Sequence, residues 1–141
     1  MLVPCIICAF ILAFMASILN EESAKSLLSG YNTMSEEKKK NVDFKAIVKI
    51  FHKVFYGIAI ALTIIGILSY FFKNDNLWAA MLSITGTWGL LPLFVTGKKH
   101  DTNIYSKWQI VLNYFVMLFL IVLGLVVAIS VYHHEGSLVI N

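Results

Sequence analysis

Cys5-Ile6-Ile7-Cys8 carries the spacing of a reactive cysteine pair. Such a pair does thiol–disulfide chemistry when a cation or a helix N-terminus stabilises the thiolate. Its neighbours here are apolar and no cation lies close in sequence, so the pair reads as packing. His133-His134 near the other end of the chain completes a two-Cys, two-His set of the kind that holds tetrahedral zinc. All four residues fall near one end of their apolar segments. Adjacent histidines serve one ion poorly, however, and the cysteines lie deeper than the histidines. Cys5, Cys8, His133 and His134 are therefore a candidate set for which no metal is expected. His52 and His100 sit at unequal depths, unlike a pair of axial haem ligands, and His52 reads as an interfacial side chain. Ion-coupled transport usually needs a carboxylate or lysine in the hydrocarbon core, and the long apolar segments contain no Asp or Glu. The connectors hold no glycine-rich phosphate loop, serine-nucleophile motif or paired carboxylates. The expectation is a non-enzyme without a cofactor. The alternative is a small membrane enzyme or transporter using the outer Cys/His set or the Ser83 and Thr87 side of the third segment.

The elements that would position these residues are dictated by composition. Hydrophobic residues make up 59% of the 141 and charged residues only 13%, with a mean hydropathy of +0.79. A soluble domain carries about a quarter charged residues, and the apolar residues here cluster in blocks long enough to cross a bilayer. Spans are expected at about 2–19, 46–72, 77–96 and 108–132. Connectors at 20–45 and 97–107 leave them on one side, and the fold is a single all-α, polytopic membrane domain. The first span has neither a basic leader nor a cleavage site, so it reads as retained; its helix is expected to run past Asn20 toward Ser29. Ala9, Ala13 and Ser17, then Gly57 and Ala61 with Gly66 further along, then Gly124 and Ala128, form small-residue stripes that would let helices approach closely. Trp78 reads as an outer anchor, and a kink is expected near Pro92.

The first connector is the longest polar stretch. Gly30 can end a helix, and Thr33-Met34-Ser35-Glu36 fits a capping box with Thr33 as N-cap. Glu36 and Glu37 then occupy a first turn, where the helix dipole favours anions. Lys38, Lys39 and Lys40 close a short amphipathic cytoplasmic helix, and a new long helix starts at about Asn41. The segment reads either as a solvated connector or as a recognition surface. Its binding candidates are Gly30, Tyr31, Asn32, Thr33, Ser35, Glu36 and Glu37, with Lys38, Lys39 and Lys40 against lipid headgroups.

Gly30-Tyr31-Asn32-Thr33-Met34-Ser35-Glu36-Glu37-Lys38-Lys39, set between two apolar spans, resembles the bacterial membrane family called domain of unknown function 3784. The likeness covers about residues 1–72. The family often places an aromatic residue before the acid that stands here as Asp43, where this chain has Val42. A looser likeness is to immunity proteins against the sporulation-delaying toxin, whose pattern combines Gly, a basic residue and Thr with Ser and Glu soon after. Asn32 takes the place of the basic residue, and the Thr-to-Ser spacing is shorter. That likeness implies immunity as one form of function, and neither family supplies a catalytic residue.

The chain has eleven lysines and no arginine. Lys73 stands alone at the second connector, and the other ten flank the first and third. Positive charge marks the cytoplasmic side, so both termini are expected outside, with the spans as two hairpins of equal orientation. Lys49 to Gly66 and Lys107 to Gly124 have equal separation, which suggests a duplicated hairpin or convergent hairpin design. Lysines beside spans make no nucleic-acid surface, and two cysteines build no disulfide scaffold. The functional expectation is a non-enzymatic binding or accessory protein of the bacterial inner membrane, acting through lipids and a membrane protein partner or a second copy.

Overall fold

The structure is a computed structural model that describes residues 1–23 and 34–134. The described residues are helical apart from short connectors and one isolated antiparallel bridge. The helices are α1 (Leu2–Ile18), α2 (Glu36–Lys40), α3 (Phe44–Phe71), α4 (Asp75–Trp88), α5 (Leu91–Gly97) and α6 (Lys107–Tyr132), with a 3-10 turn at Lys98–His100. Among the described residues three stretches are long and apolar enough to cross a membrane: Phe44–Phe71, Asp75–His100 taken through its break, and Lys107–Tyr132. The chain is thus an all-helical membrane protein. Leu2–Ile18 is also apolar but shorter, at 17 residues.

Local chemistry sets the helix limits. Asp43 caps α3 by accepting from the Ala46 amide at 3.0 Å, a contact worth about 1 kcal/mol. Asn74 caps α4 in the same way through the Leu77 amide. Ser106 and Gln109 form a full capping box at the start of α6. The chain leaves helical geometry at Leu19, whose backbone is extended. Asn20 and Ser23 then exchange bonds, Ser23 N–H to Asn20 Oδ1 and Asn20 N–H to Ser23 Oγ. The first helix therefore stops before Asn20 instead of running through it. The expected kink is a full break. Gly89 and Leu90 separate α4 from α5, and Pro92 sits in the first turn of α5, where its missing N–H costs little.

Packing follows chain order. α1 lies along α3, α3 meets α4 and α5, and α4 lies along α6. The result is an open row of antiparallel helices in place of the closed bundle that four amphipathic helices would make. The core gathers Cys5 and Ala9 of α1, Ile58, Ala59, Leu62 and Ile65 of α3, and Trp78 of α4. The seam of α1 is Cys5, Ala9 and Ala16, all buried. Ser17, expected in that seam, is exposed and donates to the Phe14 carbonyl. Gly57 faces open space, whereas Gly66 is the close-contact glycine of α3, where an added Cβ would stand 3.0 Å from the Cys5 Cβ. Trp78 is buried, with its indole N–H donating to the Phe72 carbonyl at 2.6 Å. It belongs to the core, not to an outer anchor; exposed Tyr70, Phe71 and Phe72 supply the aromatic rim.

The second pair is held at Gly124 and Ala128, the two buried residues of α6. A Cβ on Gly124 would lie 2.3 Å from Thr87 Oγ1 and 2.9 Å from Trp88 Nε1. Trp88 Nε1–H donates to the Ile121 carbonyl on α6 at 3.2 Å. Gly124→Ala should therefore destabilise the protein in detergent by about 1–3 kcal/mol, and Thr87→Ala should restore part of the loss. Gly57→Ala meets no neighbour and should be neutral or stabilising by about 0.5–1 kcal/mol. Thermal unfolding of the three variants checks this ordering.

Candidate functional site

The two connectors on the lysine-rich side are joined to each other. α2 ends at Lys40, and the following residues, Asn41 to Asp43, lie against the strip after α5. Val42 and Asp101 form an antiparallel bridge. Asp43 N–H donates to the His100 carbonyl at 2.8 Å, and Thr102 N–H to the Asn41 carbonyl at 3.1 Å. The Thr102 hydroxyl donates to the same Asn41 carbonyl. Asn103 is the hub: its side-chain amide donates to the Lys38 carbonyl and to Asp101 Oδ1, both at 2.9 Å. Its amide oxygen accepts from Asn41 at 3.2 Å. Tyr105 OH donates to Asp101 Oδ2. Asp43 Oδ2 lies 3.9 Å from His100 Nδ1.

This clasp rests on apolar packing. Val42 and Leu19 cover buried Phe44 and Val48 at the foot of α3. His52 Nε2–H donates to the Leu19 carbonyl at 2.6 Å and so ties the end of α1 to α3. The expectation of an interfacial His52 thus has a concrete partner: the ring satisfies a carbonyl that the end of α1 leaves bare. Burial pushes the Tyr105 hydroxyl up to about 12, and its hydrogen bond to Asp101 and the charge of that carboxylate add to the rise.

The sequence candidates fall into three groups. Gly30, Tyr31, Asn32 and Thr33 lie outside the described residues. Ser35, Glu36 and Glu37 are placed, with a shift of register from the expected capping box. Ser35 is the N-cap, without a side-chain cap bond, and Glu36 is the first helical residue, not the third. Its carboxylate accepts from Lys39 at 2.7 Å. None of the residues of α2, Lys38 to Lys40 included, is buried, so α2 is a solvent-side turn. The four metal candidates are not brought together. Cys5 is buried in the α1 seam and Cys8 is exposed. His133 stacks edge-on with Tyr132, and the His134 carbonyl accepts from Asn76. α1 and α6 are the opposite flanks of the row, and among the described residues no cluster of three or more His, Cys, Asp or Glu is arranged for a metal. On α4, Ser83 and Thr87 donate back to carbonyls of their own helix.

Sequence reasoning missed the pairing of Asn41 and Asp43 with Asp101, Thr102, Asn103 and Tyr105. The available signal was the density of turn-forming Asn, Asp and Thr in two connectors on one face.

The clasp makes a measurable prediction. The folded state holds the Tyr105 proton more tightly than an unfolded chain, whose tyrosine loses it at about 10. The stabilisation is complete below pH 10 and lost as the pH rises from about 10 to about 12. Unfolding midpoints should fall over that window, and Tyr105→Phe should flatten the fall. Asn103→Ala should lower stability by about 1–3 kcal/mol at neutral pH and speed proteolysis of both connectors.

The family model described as domain of unknown function (DUF3784) matches residues 6–101. The chain belongs to that family. The match runs beyond the first hairpin expected from the decamer and takes in α4, α5 and the clasp as far as Asp101. Neither the curated proteins nor the solved structures give a match.

Proposed function

We propose that this member of the domain of unknown function (DUF3784) family is a non-enzymatic binding or accessory protein of the bacterial inner membrane. The observation that carries the reading is the clasp. The described ends of the two polar connectors, residues 38–43 and 100–103, are joined into one surface by bonds among Lys38, Asn41, Asp43, His100, Thr102 and Asn103. Most of those bonds are to main-chain groups, the chemistry of a scaffold that presents a surface. The described residues next to the clasp are Ser35 and those of α2; Gly30 to Thr33, which precede them in sequence, are proposed to belong to the same recognition surface. Lys38 and Lys40 add attraction to anionic headgroups of about 1 kcal/mol each near the surface. The partner is a membrane protein or a second copy. Immunity against a membrane-active toxin is one concrete form of this role.

In this reading the chain crosses four times with both termini outside. α1 supports a fourth crossing although it is short. It runs antiparallel to α3 from the level of Gly66, which meets Cys5, to that of His52, which meets Leu19. A helix seated along that much of a spanning helix shares its depth. The lysine-rich clasp then faces the cytoplasm. Reporter fusions after Asn74 and Asn141 should read as exported, and fusions at Lys39 and Lys99 as cytoplasmic. A cytoplasmic Asn141 overturns the four-span reading.

The functional test replaces Tyr31-Asn32-Thr33 with Gly-Ser-Gly. A recognition surface loses its phenotype (toxin protection, or capture of its membrane partner) while the protein still accumulates in the membrane. Full activity at normal abundance returns the segment to a connector.

A further inference from the structure

α1 and α3 leave an open groove between them on one side of the row. Its volume is about 480 Å³, and Ala9, Phe10, Ala13, Tyr56, Ile60 and Thr63 are among its walls. The small side chains of Ala9 and Ala13 set its depth, and Phe10 stands at its edge, largely exposed. Thr63 presents little free polarity, because its hydroxyl donates to the Ala59 carbonyl at 2.8 Å. The volume falls in the range of about 300–1,000 Å³ common to small-molecule sites.

The depth of the groove is specific. α3 has no charged side chain from Val54 to Phe71, a rise of about 26 Å against a hydrocarbon core of about 30 Å. The groove spans Tyr56 to Ile64, about 12 Å, and so lies in the half of that run next to Lys53. Lys45, Lys49 and Lys53 recur every four residues and share the helix face of Tyr56, Ile60 and Thr63. All three lysines are exposed. None of the three is in an ion pair with a described carboxylate. An apolar channel one leaflet deep thus opens onto cationic groups at the headgroup level.

We propose that this groove binds one anionic phospholipid of the lysine-bearing leaflet, with an acyl chain along Ala9, Ala13 and Ile60 and its phosphate held by Lys49 and Lys53. Tyr56 lines the groove at its end nearest Lys53 and offers a hydroxyl as a further donor to the headgroup. The lysines supply preference for negative charge and the groove supplies residence. The proposal rests on the reading of α1 and α3 as a membrane-crossing pair and adds a ligand to it.

The test uses the full chain in mild detergent. Phosphatidylglycerol and phosphatidylcholine with identical acyl chains are supplied in equal amounts, and retained lipid is read by native mass spectrometry. One lipid per chain is expected, with phosphatidylglycerol preferred about 30-fold, the effect of two near-surface lysines. The K49Q/K53Q variant should bring the preference close to unity. I60W, which fills the groove from an exposed position, should lower retention of both lipids at least tenfold. K73Q removes an exposed charge beyond the far end of α3 and should keep the preference. Equal retention of the two lipids by the native chain, a preference that survives K49Q/K53Q, or an equal loss in K73Q overturns the site. Alkaline extraction of membranes distinguishes the crossing pair from the groove. A chain released by alkali sinks the crossing pair, whereas a chain that stays embedded without lipid preference sinks the groove alone.

Discussion

Everything in this molecule depends on the need of main-chain N–H and C=O groups for partners where water is absent. Helices meet that need within themselves, and the remaining bonds appear where a helix is interrupted or ends. The Leu19 carbonyl, bare at the end of α1, receives the His52 ring. The break between α4 and α5 is closed by short-range bonds from Leu90 to Thr87 and from Leu93 to Leu90. Ser69, Ser83, Thr87 and Thr96 donate to carbonyls three or four residues back, so polar side chains inside the apolar run are satisfied without a partner helix. The same requirement explains the clasp. Two connectors that must leave helical geometry at the membrane face bond to each other instead of depending wholly on water.

Association of the helices cannot draw on a hydrophobic difference between protein and lipid; it needs close packing. The structure supplies it at one glycine in each pair. Gly66 admits Cys5 and the Leu2 backbone, and Gly124 admits Thr87 and Trp88. These are the two glycines that stand at equal distance from Lys49 and Lys107. Each fixes a partner helix at about the same height above the lysine-bearing face, so the two pairs are built on the same plan whatever their history. Between the pairs, Gly89 gives a further close approach in addition to the buried Trp78, since a Cβ there would meet the Ile58 side chain at 2.6 Å.

The sequence made some features legible because they rest on length, charge and cap chemistry. The apolar stretches, the short turn at Glu36–Lys40, the interruption near Pro92 and the Gly124–Ala128 contact follow from such signals. The facing of the helices did not follow, and the reason is physical. A soluble helix advertises its buried side by contrast with a polar one; here both sides are apolar. Ser17 and Ala16, or Gly57 and Gly66, are equally plausible contact residues in the one-dimensional pattern, and the structure selects Ala16 and Gly66. Trp78 looks like an anchor by position and is buried because its N–H has the Phe72 carbonyl to serve. The clasp was hidden for another reason. Its residues lie about 60 positions apart, and no local rule links Asn41 to Asn103.

α3 joins the clasp, the end of α1 and the groove. Its first turn carries Asp43, which caps the helix through Ala46 and bonds through its own N–H to the second connector. One turn further in, Val48 packs beneath the clasp with Phe44, and His52 holds the end of α1. Lys45, Lys49 and Lys53 occupy the face left over by those contacts, and beyond them the same face becomes one wall of the groove. A single helix therefore carries both the bonded connector surface at its first turn and one wall of the apolar groove further along. A partner that pulled on the connectors would act on α3 at its capped end, and through Leu19 and His52 on the helix that forms the other wall. Surface and groove thus share one helix, which is tied to the second connector by the Asp43 N–H on the His100 carbonyl and to α1 by the His52 ring on the Leu19 carbonyl.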